Sequence, residues 1–169
     1  LWVGMAFALV ALFVVIGMIP VLGALATYLI APIFSGGLML GCRNLESGQG
    51  LSFGHLFAGF QKNLGQLALV GVLYLVGILV IGAGIAVLGL GAGFGAALIG
   101  GASPGASFSS IMLVGLIGAG LMIPLAMAIW FAPALVMLND LPAVAAMKLS
   151  FSGCLRNMLP FLVYGLIGM

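Results

Sequence analysis

Charge is what this chain of 169 residues has least of. Four basic and two acidic residues leave 4% of positions charged, against about a quarter in an ordinary soluble domain. A water-soluble surface cannot be built from Arg43, Glu46, Lys62, Asp140, Lys148 and Arg156 alone. Nor do four scattered basic residues form the cluster that tracks phosphates, so no nucleic-acid partner is expected. Two cysteines, Cys42 and Cys154, make neither a disulfide framework nor a zinc site. Both are expected as small core or interface residues. Glu46, His55 and Asp140 are the only candidates for acid, base or metal ligand in the polar stretches, and their spacing gives no ligand motif. No catalytic residue, metal site or cofactor is therefore expected.

What the chain has in quantity is apolar sequence, 65% of its residues. Uninterrupted apolar runs longer than about eighteen residues read as transmembrane helices. The expected fold class is all-α: a polytopic transmembrane helical bundle forming one domain over residues 1–169. Spans are expected over 2–18, 21–41, 64–90 and 111–138, with a last one opening at Asn157. The chain begins inside an apolar run, and only about 18 Å of helix follows Asn157, against a hydrocarbon core of about 30 Å. The expectation is a fragment truncated at both ends. Residues 1–19 lack the basic flank and cleavage site of a signal peptide.

In the second span Gly23, Thr27, Ala31 and Ser35 recur every four residues, and Gly37 and Gly41 extend the ridge as a GxxxG. Small side chains at this spacing let another helix pack closely in lipid. Packing within the chain is the first expectation, and a second copy or another membrane protein the alternative. Pro32, Pro124 and Pro133 are expected to kink spans rather than end them. The Gly- and Ser-rich stretch 89–110 is expected as a loop. It lacks the spacing, preceding strand and following acid of a nucleotide-binding glycine fingerprint.

Two polar blocks, 42–63 and 139–157, hold all six charges. Ser52 is a good N-cap, and Phe53, Leu56, Phe57 and Phe60 fall on one face of a short amphipathic helix. In the second block Val144, Met147, Phe151, Cys154 and Met158 share a face, opposite Lys148, Ser152 and Arg156. Both helices are expected in the membrane interface, apolar side down. Asn63 is expected to cap the next helix with Gln66 as its partner, and Asp140 to cap the second amphipathic helix. Lys62, Arg156, Lys148 and Arg43 are the candidates for weak contacts to lipid head groups.

The blocks repeat one another. Phe57, Gly59, Lys62, Asn63 and Gly71 match Phe151, Gly153, Arg156, Asn157 and Gly165 at a constant offset of 94. Upstream, Ile19-Pro20 and Ala31-Pro32 answer Ile123-Pro124 and Ala132-Pro133. An internal duplication is expected, with halves of about 1–90 and 111–169. Every Lys and Arg lies in the two blocks, which the positive-inside rule places in the cytoplasm. The repeat is then parallel, provided the chain runs straight through Pro124.

The segments IP-VLG, AP-IFSGGLMLGCRNLESG, HLFAGF and FAPALVMLNDLPAVAAMKLSFSGCLRN-LPFLVYGLI carry a resemblance over nearly the whole chain. They resemble a family of uncharacterised proteobacterial inner-membrane proteins. That family is related in pattern to YciC-like proteins and to the membrane domains of some glycerophosphodiester phosphodiesterases. The resemblance implies about six transmembrane helices, and it brings no catalytic residue with it. The expected function is that of a non-enzymatic inner-membrane protein, structural or interacting with lipids or a partner. The alternative is a small-molecule or lipid transporter with a site between the halves. A membrane enzyme using His55 is a weaker third.

Overall fold

The structure, a computed structural model, describes residues 2–19, 22–98 and 104–167. Among the described residues it is helical without strands. The helices are α1 (Trp2–Gly17), α2 (Leu22–Glu46), α3 (Ala58–Gln61), α4 (Leu64–Leu98), α5 (Pro104–Trp130), α6 (Ala132–Asn139), α7 (Ala143–Arg156) and α8 (Met158–Ile167). A 3₁₀ turn, Phe53–Phe57, leads into α3. Among the described residues three stretches are long and apolar enough to cross a membrane: Leu25–Glu46, Leu64–Gly91 and Met112–Asn139.

Two units divide the chain. The first combines residues 1–75 with 127–169. Its centre is α2, which packs on α1, on the 3₁₀ turn and α3, and on α6. One buried cluster joins Ile33, Leu67, Val70, Ala132, Val136, Met137, Ala143 and Ala146. A second joins Met5, Phe34 and Leu56. Phe34 is ringed edge-on by Phe13, Phe57 and Phe60, with centroids 5.4–6.1 Å away, the spacing that aromatic quadrupoles favour.

Pro32 sits inside α2 and has no N–H to give the Tyr28 carbonyl. The backbone of α4 closes over that carbonyl at Gly71, where a Cβ would come within 2.7 Å of it. Gly37 similarly faces the His55 carbonyl of the 3₁₀ turn, at 2.5 Å from an added Cβ. Gly41 meets Leu51 and His55, so this part of the small-residue ridge faces the chain's own turn. At the other end of the ridge, Gly23 lies against the Ile16 carbonyl and Thr27 Oγ1 donates to the Gly23 carbonyl at 2.8 Å.

The second unit, Val76–Ala126, holds the distal part of α4 and most of α5. Leu125 fills the hollow at Gly77, and Ile85 the one at Gly118. Leu79, Val80, Val87, Leu90, Phe108, Met112, Leu116 and Leu121 are exposed. The unit carries no Asp, Glu, Lys or Arg. A lipid environment suits such a surface; water does not.

The structure corrects several local expectations. The expected loop 89–110 is largely helix: α4 continues to Leu98, α5 starts at Pro104, and residues 99–103 lie outside the described residues. Glycine weakens a helix by about 1 kcal/mol per residue in water. Away from water, the internally bonded helix is still the way to satisfy every backbone group. The first amphipathic helix is instead a 3₁₀ turn and a single α turn. Of its expected lipid-facing residues, Leu56 is buried and Phe57 and Phe60 lean on Phe34. In α7 the line packed on the protein is Ala143, Ala146, Ser150 and Cys154, so Cys154 of the expected lipid-facing side is buried, while Val144 and Phe151 of that side are exposed. Small residues there let α7 pack closely. Pro124 lies within α5, which runs on past it, whereas Pro133 stands in the first turn of α6, after a break at Phe131.

Candidate functional site

Arg43, Lys62 and Asn63 of the first polar block converge on the C-terminus of α6. A helix leaves its last four carbonyls without internal partners, and its dipole makes that end attractive to cations. Three consecutive carbonyls of α6 are met from the first half of the chain. Asn63 Nδ2 donates to the Val136 carbonyl at 3.0 Å. Lys62 Nζ donates to that of Met137 at 3.3 Å. The Arg43 guanidinium donates to that of Leu138 at 3.1 Å.

Asp140 closes the cluster. It follows α6 in the left-handed conformation, φ 53°, which Asp and Asn tolerate better than other side chains. Its carboxylate accepts from Asn63 Nδ2 at 2.7 Å and pairs with Lys62 Nζ at 3.1 Å. The Asn63 amide, followed by the Lys62 ammonium, holds the Asp140 carboxyl below its ordinary value, against a small opposing effect of burial. The ion pair is wet, with side chains 47% and 61% exposed, so its strength is that of a screened surface pair.

Two expected caps act elsewhere. Asn63 is itself left-handed, φ 60°, and its side chain reaches α6 rather than capping α4. Gln66 Oε1 accepts the Ala143 N–H at 2.8 Å and so caps α7, seventy-seven residues away in sequence. Asp140 does not cap α7; Pro142 occupies the cap position and has no hydrogen-bonding side chain there. The two polar blocks are thus hydrogen-bonded to one another.

The second half of the motif behaves differently. Asn157 Nδ2 donates to the Gly153 carbonyl at the end of its own helix. Lys148 and Arg156 are exposed on α7 and make no ion pair among the described residues.

His55 is fully engaged. The Ser52 N–H donates to His55 Nδ1 at 3.1 Å, completing a capping box in which His replaces the usual Glu or Gln. With Nδ1 an acceptor, the neutral ring carries its proton on Nε2. That nitrogen lies 3.0 Å from the Asn44 amide, and we assign the Asn44 oxygen to that contact. No group of three His, Cys, Asp or Glu able to hold a metal occurs among the described residues. Cys42 is exposed and Cys154 buried, and burial raises the Cys154 thiol above its ordinary value.

Residues that sequence reasoning passed over include Gln66 as a distant cap and Ser150. The Ser150 hydroxyl, buried in α7, accepts the Phe131 N–H at 2.9 Å and donates to the Met127 carbonyl at 2.7 Å. A polar residue on the line of small residues Ala143, Ala146 and Cys154 was the available signal.

Apolar helices long enough to cross a bilayer, with polar groups gathered at helix ends, define the class: a helical membrane protein. A protein of Burkholderia thailandensis named a probable inner membrane protein is 32% identical over 163 residues, covering 90% of this chain and 59% of that relative. The chain thus spans about three fifths of the length of the curated relative it matches. No family model and no solved structure matches.

Proposed function

We propose that this chain is part of a polytopic protein of the bacterial inner membrane, non-enzymatic, whose role is structural or lies in contact with lipids or a membrane partner. The observation that carries the reading is the use made of the polar groups. Arg43, Lys62, Asn63, Gln66, His55 and Asp140 are committed to helix ends and to each other, and none is left as a converging reactive set. The exposed apolar surface of residues 76–126 supports a lipid setting. The name of the Burkholderia relative supports the inner membrane. Membership of a six-helix family related to YciC-like proteins is part of this reading, as is a parallel duplication with both polar blocks in the cytoplasm. The bonds from Arg43, Lys62 and Asn63 to residues 136–140 support a common side for the blocks, and the passage of α5 through Pro124 supports two crossings between them.

Topology is tested by thiol labelling in cells. Cys42 is exposed and suitable as it stands; Cys154 is buried, so Cys154→Ser with Ser152→Cys, or with Lys148→Cys, reports the second block. Both blocks should react with an impermeant maleimide only after permeabilisation. Labelling of one block in intact cells would overturn the parallel arrangement. Catalytic function is tested separately. Cells carrying His55→Ala or Glu46→Ala should keep the phenotype of the unsubstituted protein. Loss of phenotype in either, with the protein still present in the membrane, would favour the enzyme reading.

A further inference from the structure

The Ser150 hydroxyl stands between two backbone groups that an unbroken α-helix would join directly. The Phe131 N–H and the Met127 C=O are four residues apart, the spacing of the helical ladder. Ser150 Oγ accepts from the first at 2.9 Å and donates to the second at 2.7 Å. The chain is broken there, at the end of α5 and just before α6. A side chain inserted into the ladder is a recognised cause of a helix bend.

Proline alone does not account for the break. Ala31-Pro32 and Ala132-Pro133 are the same dipeptide, yet α2 runs unbroken through Pro32, and α5 also runs through Pro124. The two polar blocks match at an offset of 94, and at that offset Ser150 stands where the first block has Leu56. Leu56 has no hydroxyl and is buried against α2. The half with the hydroxyl has the broken helix; the half without it has the continuous one.

We propose that the α5–α6 junction is a two-state hinge, latched in its broken form by the Ser150 hydroxyl of α7. With α7 docked, the hydroxyl bridges the pair. When α7 lifts, the Phe131 N–H and Met127 C=O close on each other, and α5 and α6 join as one helix, as α2 already does around its own proline. Neither backbone group is orphaned in either state, so the exchange avoids the penalty of a buried unsatisfied group. The element that moves is α7. Its outer side carries exposed Val144, Lys148, Leu155 and Arg156, so a ligand that binds that side more tightly in one state than in the other biases the bend.

Cys154, one turn along α7 and 3.5 Å from the same Met127 carbonyl, is a native reporter of docking. The test uses the full-length protein in lipid nanodiscs with Cys42→Ser, which leaves Cys154 as this chain's only thiol. N-ethylmaleimide alkylation reads the lifting of α7, and amide hydrogen exchange reads Phe131. Adding Ser150→Ala should speed alkylation about tenfold, while Phe131 exchange stays within about threefold because its amide now bonds Met127. Ser150→Thr, which keeps the hydroxyl, should restore slow alkylation. If Phe131 exchange rises in step with alkylation, the hydroxyl is a static cap and the hinge is refuted. Unchanged alkylation refutes the latch. If Ser150→Ala does not fold, the Cys42→Ser protein decides by itself. The latch requires openings that expose Cys154 to be about tenfold more frequent than those that release the Phe131 amide, and equal frequencies overturn it.

Discussion

Substituting Asn63 by glycine should do less damage than substituting it by alanine. Both changes remove the bond from Asn63 Nδ2 to the Val136 carbonyl, a part-buried contact at 3.0 Å, worth about 1 kcal/mol. Both also remove the contact to Asp140. They differ in the backbone. Asn63 sits at φ 60°, where a Cβ without a compensating polar group costs about 1–2 kcal/mol. Glycine avoids that strain, though its freer unfolded chain returns roughly half of the advantage. The expected losses are therefore about 1.5–2 kcal/mol for Asn63→Gly and about 2–3 kcal/mol for Asn63→Ala. Denaturant unfolding in detergent micelles, followed by far-ultraviolet circular dichroism, measures both. Equal losses, or a more stable alanine variant, would refute the left-handed assignment and with it the path by which the chain enters α4 from α3.

Three further outcomes are expected. The Asp140 carboxyl is held low by Asn63 and Lys62, so its contribution is present above the ordinary carboxylate pKa and is lost as pH falls through the lowered value. Asp140→Asn should flatten the decline in stability below about pH 4, in a pH series of melting curves. Gly37→Ala puts a Cβ within 2.5 Å of the His55 carbonyl and should lower stability by about 1–3 kcal/mol, whereas Gly82→Ala, which meets nothing within 4 Å, should be neutral or slightly stabilising in the same unfolding assay. Gln66→Ala removes the acceptor for the Ala143 N–H and should cost about 1 kcal/mol, seen as faster amide exchange in the first turn of α7. Gln66→Glu should keep that turn protected, because a carboxylate suits a helix N-terminus.

The helical class and the placement of α1, α2 and the start of α4 were legible because apolar run length is a property of the sequence itself. Lys62 and Asn63 were legible as the junction before α4 for the same reason. Their task was not. Capping rules look three or four residues along the chain, and Asn63 and Gln66 find their partners at Val136 and Ala143. Nothing in local spacing encodes such a reach. The line by which α7 packs on the rest of the chain was not legible in its hydrophobic pattern, which marked only the side expected to face lipid. In close helix contacts small size decides, so Ala143, Ala146 and Ser150 are inside and Val144 is out. The Gly-rich segment was misread because glycine's preference for loops is measured in water. The capping role of His55 depends on which ring nitrogen accepts from Ser52, a detail that composition does not carry.

The ties between the two polar blocks run in one direction. Arg43, Lys62, Asn63 and Gln66 supply the partners; the ends of α6 and α7 receive them. The first block needs no such help, since α2 closes with bonds from Ser47 and Gln49 to carbonyls of its own last turn. During synthesis the supplying residues leave the ribosome first, and domains are made from the N-terminus onward. By the time α6 is complete, its cap is already waiting in place. A chain with the order of its halves exchanged would keep every contact on paper. It would nevertheless present bare helix ends, Val136 to Leu138 and Ala143, until the remainder of the protein had been made.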